Sequence, residues 1–141
     1  MALKSLFPEE MMEGKSGGGS GLTLETIAGK LTYFHEQLHL IHWQTKSYAE
    51  HQALGGLYDY VHDIKDEIVE KIMGYTGKIP RAFKVEPLAD SIDCRTVVAN
   101  LISFASQLEE YAEANNMPDI ENISQSLSGE AAKTKFLLTL S

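Results

Sequence analysis

The stretch from His42 to Glu70 offers imidazole and carboxylate side chains together, in His42, His51, His62, Asp66 and Glu70. Neutral imidazole nitrogen and carboxylate oxygen in one place suit iron, zinc or manganese. The spacing decides which of them meet. At about 100° per residue, His51, Gly55, Tyr58, His62 and Asp66 fall within roughly 60° of one another on a helix, with Glu70 at the edge of that stripe. Leu54, Leu57, Val61, Ile64, Ile68 and Ile72 occupy a separate arc centred about 130° away, the face directed at the subunit's own core. One helix thus carries an apolar stripe and a ligand-bearing stripe. The second stripe faces solvent, an internal cavity or another subunit.

His42-Trp43, then His51, then Tyr58 seven residues on, then Asp66 and Glu70 as D-x-x-x-E, form a pattern that resembles the signature of the Dps proteins. These are ferritin-like mini-shells named for DNA protection in starved cells. In that family the ferroxidase site lies between two-fold-related subunits. The resemblance implies that His42 and His51 of one chain face Asp66 and Glu70 of a neighbour and bind iron (Fe2+/Fe3+) there. It further implies that Fe(II) is oxidised by peroxide or dioxygen and stored in a closed homo-oligomeric shell, a dodecamer in the family. Gly55 stands where the family carries an aspartate, and the loop between the two histidines is shorter. Gly55 therefore keeps two alternatives open: a Dps-fold shell or interaction protein with a degenerate metal site, and a helical bundle that binds another metal or ligand.

The elements that must position these residues are read from the rest of the chain. Its 141 residues suffice for one domain with a sizeable core. Twenty acidic against twelve basic residues give a net charge of −8, which opposes unaided DNA binding and attracts cations. Cys94 is alone, so no disulfide forms within one chain, and a reducing, cytoplasmic setting fits. No run approaches the ~18 apolar residues of a membrane span, and the N-terminus lacks a signal-type apolar region. Residues 1–21 read as a tail with a Gly/Ser linker at Lys15 to Gly21, leaving 22–141 as the bundle domain. Within the tail, residues 3–12 carry Leu3, Leu6, Phe7, Met11 and Met12, a candidate docking segment for a protein partner.

Four helices are expected. The first starts at the N-cap Thr23 and runs to about Lys46 on the core stripe Leu24, Ile27, Leu31, Phe34, Leu38 and Ile41. His35 and His42 lie beside that stripe and His39 further out; an ordinary structural role competes with a ligand role at each, and the motif singles out His42. Glu36-x-x-His39 matches half of a di-iron carboxylate site, but no later helix supplies the second half. Trp43 is read as a packing anchor. The second helix starts at Ser47, with Glu50 completing the form of a capping box, and runs to about Gly74. Gly55 and Gly56 interrupt it at a cost of roughly 1 kcal/mol each, for which close helix approach is the simplest reason. About fifteen residues then link helices two and three, too long for a bundle turn of ~2–8, so the link travels the bundle's length with a short or irregular extra helix. The third helix spans about 90–115 and the fourth about 119–140. The architecture expected is all-α, a ferritin-like four-helix bundle.

Overall fold

The computed structural model describes residues 21–141. The expectations for the leader and linker fall on residues outside that range. Regular structure among the described residues is helical: α1 Leu24–Gln44, α2 Tyr48–Thr76, α3 Cys94–Ala114 and α4 Pro118–Leu138. None of these helices is long and apolar enough to cross a membrane.

Each start has a local cause. Thr23 Oγ1 accepts from the Thr26 amide while Thr26 Oγ1 accepts from the Thr23 amide, so the first capping box closes through Thr26. Ser47 Oγ accepts from the Glu50 amide. The Glu50 carboxylate does not return to the cap as a full box requires; it accepts from Thr45 Oγ1 at 2.7 Å. α2 ends where Gly77 takes φ 70°, a left-handed conformation that glycine adopts without steric cost. α3 begins at Cys94 behind the N-cap Asp93, a few residues later than the expected start. Between α3 and α4, Asn116 is left-handed (φ 57°) and Pro118 opens the next helix.

The expected core stripes are the buried ones. Ile27, Leu31, Phe34 and Leu38 of α1 meet Leu54, Leu57, Val61, Ile68 and Ile72 of α2, with Val97, Leu101, Leu108, Ile120 and Leu127 from the second pair. Each such burial contributes ~1.5–3 kcal/mol. Cys94 is buried as expected. The most extensive contacts are α3 with α4 and α1 with α2, two antiparallel hairpins joined mainly through α2 against α4. Arg95 at the start of α3 reaches Glu50 at the start of α2 (3.4 Å) and the Leu138 carbonyl at the end of α4 (2.9 Å). α2 and α3 therefore run in the same direction, and the order is up, down, down, up.

That order obliges residues 77–93 to travel the length of the bundle, and they do so without a helix. The extra short helix does not form; the segment is an irregular strap laid along α1. The Arg81 amide donates to Glu25 at 2.7 Å, a bond that holds the Glu25 carboxyl below the usual carboxylate range. Gly29 admits the strap: a Cβ there would stand 2.3 Å from the Lys84 carbonyl oxygen. Gln37, fully buried, matches its side-chain amide to the backbone of Ala89, donating to the carbonyl at 2.9 Å and accepting from the N–H at 2.8 Å. The strap turns several apolar side chains outward, among them Ile79 (72% exposed), Phe83, Val85 and Leu88.

Candidate functional site

The short α1–α2 turn returns the chain so that His42 and His51, nine positions apart, stack face to face with ring centroids 3.7 Å apart and planes at 19°. Each ring is anchored by the other residue's backbone. His42 Nδ1 lies 2.7 Å from the His51 carbonyl oxygen, and His51 Nδ1 lies 2.9 Å from the His42 carbonyl oxygen. A carbonyl only accepts, so Nδ1 carries the proton in both rings. In the neutral form the lone pair then resides on Nε2. A second ring N–H fixed by a carbonyl is the usual support of a metal-bound imidazole.

The supports extend outward. Thr45 Oγ1 and Arg95 hold the Glu50 carboxylate beside His51. Gly55 is the seat of His42: a Cβ at that position would meet His42 Cε1 at 3.1 Å and Nδ1 at 3.3 Å. The glycine that replaces the resemblance's aspartate therefore makes room for the first ligand's ring. Gly56 faces open space.

Two near-parallel planes this close do not converge on one ion ~2.1 Å from both nitrogens. His42 and His51 thus serve separate ions or present one nitrogen each. Asp66 and Glu70 are exposed on the same helix, but at 1.5 Å per residue they lie about 22 and 28 Å along α2 from His51. One subunit does not bring the four residues together. Among the described residues no group of three or more His, Cys, Asp or Glu is placed to hold a metal ion.

The structure also gathers residues that spacing along one helix did not. All five histidines of the chain form a continuous row across α1 and α2. His62 is 5.0 Å from His35, His35 is 5.7 Å from His39, and His39 is 6.0 Å from His42, all between ring centroids. Tyr58 stands inside the row, stacked on His39 at 4.2 Å with His42 at 5.0 Å and His35 at 5.6 Å. Trp43, read as a packing anchor at the helix end, packs on a surface imidazole and not in the core. It is 66% exposed and covers the outer face of His39, with centroids 3.9 Å apart. The signal available in sequence was the i, i+4, i+7 spacing of His35, His39 and His42, which puts three imidazoles on one side of α1. Burial of His35, opposed by the neighbouring Glu36 carboxylate, lowers its proton affinity.

The fold and this face define a four-helix protein with an open, histidine-rich surface along its first hairpin. The chain belongs to the family described as "Family of unknown function (DUF5856)", whose model matches residues 42–138. That span begins at His42 and includes His51, Asp66 and Glu70. A relative from Enterobacteria phage T4, described as an uncharacterized 14.6 kDa protein in the mobD-ri intergenic region, is 25% identical over 130 residues, covering 89% of this chain and 94% of the phage protein. No solved structure matches the chain.

Proposed function

We propose that this protein is a Dps-like mini-ferritin subunit that takes Fe(II) as substrate at a site shared by two-fold-related copies and stores the oxidised iron within a homo-oligomeric shell, a dodecamer by resemblance. The observation that carries the reading is the His42/His51 pair, whose Nδ1 protons are both held by carbonyls. Two lone-pair nitrogens are thereby preorganised on one face, one for each of two neighbouring iron ions.

The other half follows from symmetry. In an isologous pair, residue i meets residue j and j meets i. If His51 faces the partner subunit's Asp66 and Glu70 across antiparallel α2 helices, the axis crosses α2 at about residue 59 or 60. Exposed apolar surface lies beside both halves of that site, Trp43 against His39 and Phe83 against Asp66, of the kind that marks an interaction face. The up, down, down, up order with one long crossover is the order of ferritin-like bundles, which supports this reading.

Asp66 and Glu70 supply hard oxygen donors that favour the Fe(III) product, and the imidazoles hold Fe(II). With peroxide as oxidant, two Fe(II) each release one electron, the O–O bond breaks, and two hydroxides form. The net charge of −8 favours cation entry over DNA, and a free buried thiol at Cys94 suits the cytoplasm. The alternative, a shell whose metal site is degenerate, is favoured by one observation: position 55 supplies no carboxylate.

The deciding experiment is Fe(II) oxidation, with dioxygen and with peroxide, by purified wild type and Glu70→Gln, with native mass measured on the same samples. The expected result is an oligomer whose oxidation slows about ten-fold or more in Glu70→Gln while assembly persists. Oxidation at the rate of protein-free buffer, or no difference between the two proteins, would leave the degenerate shell in its place.

A further inference from the structure

A second imidazole pair lies at the other end of the same histidine row, beyond His39 and beside Tyr58. His35 on α1 and His62 on α2 have ring centroids 5.0 Å apart and planes at 45°. For an ion ~2.0–2.1 Å from each Nε2, a ring centroid sits roughly 3.2 Å from the ion, so a tetrahedral angle separates two centroids by about 5.2 Å. The observed separation matches that requirement. The 3.7 Å stack of His42 on His51 does not.

Each ring of the second pair also has its own carboxylate. His35 Nδ1 donates to Glu36 Oε2 at 3.3 Å, and His62 Nδ1 faces Asp63 Oδ1 at 3.6 Å. A carboxylate beside Nδ1 retains the proton there and leaves Nε2 to a ligand. The two side chains differ in exposure, 14% for His35 and 63% for His62. The first is fixed in the hairpin groove and the second stands at its rim, so an ion held between them is reachable from solvent. His39 does not join them: its ring is held between Trp43 and Tyr58.

We infer that His35 and His62 form a two-imidazole site for a first-row divalent cation of nitrogen preference, Cu2+ foremost and then Ni2+ or Zn2+, with water in the remaining positions. Two ligands, rather than three or more, make it an open site that exchanges its ion. Imidazole donors favour copper, nickel and zinc over Fe(II). The site therefore stands whether or not His42, His51, Asp66 and Glu70 handle iron.

The test titrates the full-length protein with Cu2+ alone and follows paramagnetic resonance for nitrogen coupling, then displaces the copper with Zn2+. His62→Gln leaves an exposed position and preserves the fold; His35→Gln is checked against it by circular dichroism. The expected result is a two-nitrogen copper signature in wild type that Zn2+ displaces. Each single replacement at 35 or 62 should weaken Cu2+ affinity at least ten-fold and reduce the coupling to one nitrogen. Retention of the signature and affinity in His35→Gln/His62→Gln overturns the assignment.

Discussion

His42 and His51 each donate an Nδ1 proton to the other's backbone carbonyl, at 2.7 and 2.9 Å, while their rings stack between them. The pair is thus the clasp of the α1–α2 turn as well as a candidate ligand set. Replacing either by alanine should cost about 1–2 kcal/mol of stability, from one hydrogen bond and a ring contact. The double replacement should cost less than the sum by roughly 0.5 kcal/mol or more, because residues in direct contact are not additive. Urea unfolding of all four proteins measures this. Additivity across the cycle would mean that the two rings stand independently.

Gly55 and Gly129 both sit inside helices, yet alanine should act differently at each. A Cβ at Gly129 meets nothing within 4 Å, so Gly129→Ala should gain about 0.5–1 kcal/mol of helix stability. At Gly55 the same gain is opposed by the His42 ring 3.1 Å away. The expected outcome there is no net gain, with the His42 imidazole resonances shifted in an NMR spectrum. Gly55→Asp should shift them further, adding a carboxylate only by displacing the first imidazole. Equal stabilisation at both positions would contradict the seat assigned to Gly55.

The strap offers a sharper case. In Gly29→Ala the new Cβ meets backbone, the Lys84 carbonyl oxygen at 2.3 Å, which no rotamer change relieves. Overpacking of ~1–3 kcal/mol should outweigh the ~1 kcal/mol helix gain. A lowered melting temperature, with faster proteolysis between residues 77 and 93, is the expected reading; an unchanged melting temperature would place the strap elsewhere in solution.

Acid should weaken the fold through His35. Its folded-state affinity for a proton lies below the ordinary value of 6.5, from burial first. The unfolded chain therefore binds more protons as pH falls through that value, and stability is lost from there downward. The groups facing His35 include Glu36, His39, Tyr58 and His62. His35→Gln should flatten the dependence of unfolding free energy on pH between about 6.5 and 5. Parallel slopes for the two proteins would remove His35 as the cause.

Symmetry predicts a covalent reporter. In the proposed antiparallel α2 pairing, with its axis near residue 59 or 60, Asp59→Cys in a Cys94→Ala background should oxidise to a disulfide-linked dimer, since that pairing would bring its two copies within the reach a disulfide needs. Glu70→Cys, about 30 Å from its own symmetry mate along α2, should stay monomeric on a denaturing gel. Efficient crosslinking at 70 and none at 59 would refute the antiparallel α2 pairing.

Much of the fold was legible because its determinants are local. The Thr23 and Ser47 caps and the apolar stripes of the first two helices are written within a few residues of where they act. The site was legible only in part. His42 and His51 follow from motif and spacing, whereas the row through His35 and His39 exists because two helices pack in a particular register. The partner of Trp43 was not legible, because an aromatic ring at a helix end packs equally well inward or, as here, on a surface imidazole. Gly29 and Gln37 gave no signal, since their partners Lys84 and Ala89 lie more than fifty positions away.

The strap's attachment to α1 has a consequence for the order of events in the molecule's motions. Arg81 and Ala89 each donate their amide to a single side chain, Glu25 and Gln37, and to no helix or sheet. Such protons are released by a local opening that leaves both hairpins intact, so they exchange with deuterium far sooner than the amides of α2 or α3. The Ala89 amide, shielded by a buried glutamine, should outlast that of Arg81. The bundle is in this sense two locked hairpins with a latch that opens from one end.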